Sequence, residues 1–117
     1  MAYLRKEKEI VEISYPLFRV WESIPEALAS LEWTVGEVDD VNHHMKAKTK
    51  AGFMSYSSTL LIDVVAVDNK TARVTVTAET PVTTITSIAD FGRTRDRIDL
   101  FFGALATRFT DFRKTVH

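Results

Sequence analysis

Residues 57–80 read SSTLLIDVVAVDNKTARVTVTAET. β-Branched residues, which suit a pleated surface, dominate both halves of the stretch. Asp68, Asn69 and Lys70 place a turn between the halves. In the second half, Val74, Val76 and Ala78 alternate with Arg73, Thr75 and Thr77, the period of a strand with one buried face. In the first half, Leu61, Val65 and Val67 oppose Ile62, Val64 and Ala66, so that strand is apolar on both sides. The stretch therefore predicts two antiparallel strands, 57–67 and 71 to about 80.

Upstream, residues 34–38 and 44–50 flank a polar turn containing Asp39, Asp40 and Asn42, which predicts a further hairpin. Residues 51–56, with Gly52, read as a loop. Before that, Leu17, Val20, Trp21, Ile24, Leu28 and Leu31 recur with the spacing of an amphipathic helix over 16–32. Pro25 lies inside this helix and predicts a kink or a restart, for which Ser23 and Glu26 offer a capping box. Residues 8–15 alternate, with Val11, Ile13 and Tyr15 on one side, and predict a first strand.

Downstream, Pro81 predicts an end to regular pairing or a bulge, and 81–91 read either as a continuation of the strand or as a loop over the sheet edge. From about Arg93 to Val116, the stripe Ile98, Phe101, Phe102, Leu105, Phe109, Phe112 and Val116 predicts a long C-terminal helix, more than about 30 Å at 1.5 Å per residue. The order is β-α-β-β-β-β-α. Short hairpin loops make the sheet antiparallel, giving a two-layer α+β fold of about five strands with two helices on one face.

Composition bounds the function. A chain of 117 residues, 45% hydrophobic and 26% charged, fits a single domain over 1–117 with its own core. Without cysteine there is no disulfide, thiolate metal site or cysteine nucleophile. Fifteen basic and sixteen acidic residues give a net charge of −1, which argues against general nucleic-acid binding. No apolar run is long enough to span a membrane and the N-terminus lacks a signal peptide, so a cytoplasmic location is expected.

Three clusters invite chemistry. Three arginines, Arg93, Arg95 and Arg97, follow Gly92 in the first turns of the second helix, where the dipole disfavours cations. Gly92, Arg93 and Arg97 are therefore candidates for holding a phosphate or carboxylate. The alternative is that Asp90 caps the helix while Asp96 and Asp99 pair with the arginines on a solvated face. Lys46, Lys48 and Lys50 with His44 form a basic stripe that also serves as protection against strand-edge aggregation. His43 and His44 adjoin Asp39, Asp40 and Asn42, but adjacent strand residues point to opposite faces and do not share one metal. No nucleophile elbow, phosphate loop or dinucleotide fingerprint is present, and neither cofactor nor metal is expected.

Glu12 to Pro16, then Val20-Trp21 and Ala27-Leu28, resemble the opening of helix-grip domains. One such group is the Bet v 1/START-like superfamily, in which the resemblance implies a sheet and long C-terminal helix around an apolar cavity for hydrophobic ligands. The other is a set of short bacterial domains similar to the repeats of an outer-membrane assembly lipoprotein. Asp90-Phe91-Gly92 resembles the Asp-x-Gly turn of the short set, which makes that set the nearer resemblance and the Bet v 1/START-like superfamily the more distant one. Neither resemblance carries a catalytic residue.

The expected function is a non-enzymatic module that binds a protein partner or a second copy of itself, as a homodimer, through Leu61, Val65 and Val67. The alternative is a carrier of a small hydrophobic ligand, seated between the second helix and the sheet against Trp21, Phe101, Phe102, Leu105 and Phe109. Those five residues are also the expected core.

Overall fold

The computed structural model describes residues 3–50, 57–82 and 93–109. Five strands, β1 (Tyr3–Ile13), β2 (Thr34–Asp39), β3 (His44–Lys48), β4 (Thr59–Asp68) and β5 (Thr71–Val82), form one antiparallel sheet in the order β1-β5-β4-β3-β2. The hairpin read from residues 57–80 is the β4–β5 pair, with Ile62 opposite Val76 and Val64 opposite Val74. β1 pairs along its whole length with β5, from Tyr3 opposite Val82 to Ile13 opposite Ala72.

β1 starts five residues earlier than the alternation suggested. Its first half carries Arg5, Glu7 and Glu9 on the helix-facing side, so no apolar period marks it in the sequence. Pro81 does not end the pairing. It stays opposite Leu4 of β1, while β4 reaches β5 only as far as Thr59 opposite Glu79, so the missing proline N–H costs no ladder bond there. Of the segment 81–91, Pro81 and Val82 continue the strand, and the remainder lies outside the described residues.

Helix α1 (Leu17–Ser30) runs through Pro25 without a restart. Ser23 is not an N-cap: its hydroxyl donates to the Arg19 carbonyl at 2.7 Å, one turn back. Val20, Ile24, Ala27 and Leu28 form the buried stripe. Helix α2 (Arg93–Ala106) is shorter than the apolar stripe implied, about 21 Å of regular helix. At its end the amides of Arg108 and Phe109 turn to the carbonyls of Leu105 and Ala106, and the Thr107 hydroxyl donates to Ala104. These tighter bonds close the helix and still deliver Phe109 to the interior. Phe112 and Val116 lie outside the described residues.

Both helices cover the same face of the sheet. Val20, Ile24 and Leu28 of α1 and Ile98, Phe101 and Leu105 of α2 join Ile13, Met45, Leu60, Ile62, Val74 and Val76 in one buried cluster. The opposite face is crossed by the ion pairs Lys6–Glu79 and Glu12–Arg73 and by a hydrogen bond between His44 and Asp63.

Candidate functional site

The helix-facing side of the sheet changes character along its length. On β5, alternation carries Ala72, Val74, Val76 and Ala78 inward and then Thr80, all buried. On β1 the same face runs from Ile13 and Val11 to Glu9, Glu7 and Arg5, with Arg5 opposite Thr80. α2 lies over this gradient. Thr94, Arg97, Ile98, Phe101 and Leu105 share its buried face, so its first turns bring a hydroxyl and a guanidinium to the polar end of the sheet.

Four side chains meet there. The Ser58 and Thr80 hydroxyls are hydrogen-bonded at 2.5 Å, and Thr80 and Thr94 at 2.9 Å. Arg97 Nη1 donates to Ser58 Oγ. Ser58, Thr80 and Thr94 are fully enclosed, and Arg97 is 9% exposed. Ser58 is fixed in turn by Thr49: the Ser58 amide donates to Thr49 Oγ1 at 2.7 Å, and the Thr49 amide to the Ser58 carbonyl at 2.9 Å. The cluster places three hydroxyls and a guanidinium at the polar end of the interior.

Arg95 takes another course. It reaches back to β1, where it donates to Glu9 and, at 3.4 Å, to the Lys8 carbonyl, with Asp99 3.8 Å away on the next turn. The predicted compensation for cations near the helix start is thus a carboxylate from the sheet as well as one from the helix. Of the predicted anion-holding residues, Arg97 sits in the buried cluster, while Gly92 and the Arg93 side chain lie outside the described residues.

Phe101, Leu105 and Phe109 are buried together at the apolar end, with Phe102 partly buried beside Phe101 at 5.4 Å between ring centroids. Phe109 stacks on Tyr15 at 4.6 Å. Trp21 is drawn to the β2–β3 turn, where Nε1 donates to Asp40 at 3.0 Å and the ring meets His43 edge-on at 5.3 Å. Leu61 and Val65 lie on the sheet face away from the helices, Leu61 between Thr77 and Lys46 and Val65 opposite Arg73; Val67 is exposed near the turn. His44 is bound to Asp63 at 2.7 Å. Among the described residues, no three metal-ligating side chains gather.

Ser58, Thr80 and Thr94 were not singled out by the sequence reading. They are far apart in the chain, and only the β4–β5 register and the seating of α2 unite them. Two signals were present: Thr80 continues the inward alternation of β5, and Thr94 and Arg97 fall on the apolar stripe of α2.

No known family and no curated protein matches the chain by sequence. Solved structures do match it in three dimensions. A norcoclaurine synthase from Thalictrum flavum superposes with a TM-score of 0.68 at 11% identity, over 92% of this chain and 94% of that one. The chain has the helix-grip fold. An aromatase/cyclase from Streptomyces sp. R1128 shares the fold with a TM-score of 0.61 at 9% identity, covering 92% and 98% of the two chains. Ara h 8.0201 shares it with a TM-score of 0.59 at 6% identity, covering 90% and 99%. These likenesses bear out the helix-grip fold that the resemblance implied.

The helix-grip comparison corrects one expectation. The lack of a catalytic motif led to a non-enzymatic reading, but a synthase and an aromatase/cyclase are built on the same fold. Absence of linear motifs is therefore no guide to catalysis in a helix-grip chain, whose interior residues come from separate strands and the C-terminal helix. No helix among the described residues is long and apolar enough to cross a membrane.

Proposed function

We propose that this chain binds a small, mainly apolar molecule with an anionic or carbonyl end, between α2 and the sheet. The apolar part lies toward Phe101, Phe102, Leu105 and Phe109, and the polar end meets Arg97, Ser58, Thr80 and Thr94. The observation that carries the reading is the buried Arg97–Ser58–Thr80–Thr94 cluster. A core selected for stability alone is served as well by apolar side chains of similar volume, and ligand sites combine apolar walls with a few convergent polar groups. The helix-grip fold supports the same placement.

The test uses anilinonaphthalene sulfonate, an apolar aromatic anion, with near-UV circular dichroism to confirm native packing. Saturable, single-site fluorescence enhancement is expected, weakened roughly tenfold or more in Arg97→Met, in line with the loss of a charge-assisted hydrogen bond. Non-saturable binding, or equal affinity in natively packed Arg97→Met, overturns the reading.

A second reading, turnover of the bound molecule, is favoured by the hydroxyl chain that ends at a guanidinium. Such donors stabilise an oxyanion developing on a carbonyl. Native mass spectrometry distinguishes the two: turnover predicts that Ser58→Ala retains a different mass from the wild type, simple carriage the same one.

A further inference from the structure

The outward side of α2 carries a separate groove of 770 Å³, walled by Leu31 at the end of α1 and by Asp96, Asp99, Leu100, Gly103 and Arg108 of the α2 segment. Its volume is that of a small-molecule site. Leu100 is 53% exposed into it, the reverse of its neighbour Phe101. Gly103 lies in the interior of α2, where glycine weakens a helix relative to alanine. Packing gives no reason for it: a Cβ built there meets nothing within 4 Å among the described residues. Among the described residues, then, no side chain requires this glycine and none fills the groove beside it.

Charge selects the class of that occupant. Asp96 and Asp99 are one turn apart on the same face and repel each other mildly. Arg95, 3.8 Å from Asp99, is shared with Glu9, and Arg108 at the other end pairs with Glu26 at 3.6 Å. Among the described side chains, one end of the groove thus carries two carboxylates against one shared guanidinium, and its middle is apolar. From Asp96 to Thr107 the groove follows the helix for about 16 Å.

We propose that this groove is a second binding site, for a small amphiphilic cation: an alkyl ammonium whose head meets Asp96 and Asp99 and whose chain lies along Leu100, Gly103 and Leu31. It is independent of the interior site and of Arg97.

Decylamine, decanol and decanoate, each below its aggregation limit, are the probes, titrated by calorimetry. Decylamine is expected to bind saturably and at least about tenfold more tightly than decanol. Gly103→Trp, which fills the groove, is expected to abolish that binding, and Asp96→Asn with Asp99→Asn to remove the preference over decanol. Arg97→Met is expected to leave decylamine affinity unchanged, so loss of the interior site and loss of this one are read separately. Gly103→Ala is the control for folding and is expected to raise the melting temperature. The proposal is overturned if decylamine and decanol bind alike to the wild type, if Gly103→Trp binds decylamine unchanged, or if Gly103→Ala lowers the melting temperature.

Discussion

Glu32 holds a left-handed backbone conformation, φ 61°, at the point where α1 ends. The Trp33 amide donates to Leu28 and the Glu32 amide to Ala29, which is the Schellman closure of a helix. That position favours glycine, because a Cβ there crowds the carbonyl by about 1 kcal/mol. Among the described residues the offset is an ion pair with Lys50 at 3.5 Å between mostly exposed side chains, worth about 1 kcal/mol at most. Glu32→Gly is therefore expected to be more stable than Glu32→Ala by about 1 kcal/mol in urea unfolding, and equal stabilities would remove the strain. A second single-residue effect lies in the β2–β3 turn. Asp39 accepts from the Asn42 side chain at 2.8 Å and from the Asn42 and Val41 amides at 3.1 and 3.0 Å. The Asn42 bonds hold its carboxyl below the ordinary value of 3.8. A depressed carboxyl contributes stability that is complete above the unfolded value and is lost as pH falls through the folded one. The turn is thus expected to loosen in acid. In Asn42→Ala the Asp39 carboxyl should titrate closer to 3.8 by NMR; an unchanged titration would separate the shift from the Asn42 bonds.

At the scale of elements, α2 shows what a periodic pattern conveys and what it does not. Ile98, Phe101, Leu105 and Phe109 recur at helical spacing and all are buried, yet the helix stops at Ala106 and Phe109 reaches the core from beyond a tightened turn. Periodicity reports which side chains face inward; it does not report whether the backbone between them stays helical. Pro25 misled in the opposite direction: a helix of 14 residues with four buried anchors tolerates one missing N–H, so α1 continues. The β4 and β5 alternation was legible because each strand has one wholly buried face. The first half of β1 was not, since Arg5, Glu7 and Glu9 occupy the face that apolar residues would have marked. The hydroxyl cluster was hidden for a related reason, being assembled from three elements by register alone. The seating of Phe109 gives the prediction for this scale. Fully buried and stacked on Tyr15, it should cost about 3–5 kcal/mol on Phe109→Ala. Phe102→Ala, at a half-buried site seven residues earlier in α2, should cost markedly less by the same denaturant titration. Equal costs would mean that Phe109 is not held in the core.

The whole molecule is tied together by the joining of its ends. β1, the first strand of the chain, pairs with β5, the last strand described, and Ile13 at the end of β1 shares one buried cluster with Phe101 and Leu105 of α2 and with Ile24 and Leu28 of α1. Every described element except the exposed edge strand β2 contributes to that cluster, which predicts that the chain unfolds as a single unit. Trp21 within α1 and Trp33 just beyond it report on that helix's half of the core, whereas far-UV circular dichroism weighs all the strands and both helices. In urea the two signals should trace one transition with one midpoint; separated midpoints would divide the chain into two units. The same titration bears on self-association through Leu61, Val65 and Val67. An association that stabilises the folded state makes the midpoint rise with protein concentration. The sheet face that carries Leu61 and Val65 is broken by Glu12–Arg73 and Lys6–Glu79 pairs, and burying those charges against a second copy would cost hydration that scattered valines do not return. The midpoint is accordingly expected to stay constant over a hundredfold range of concentration. A steady rise would instead assign that face to a second copy of the chain, leaving the interior cluster around Arg97 to act within each subunit of a dimer.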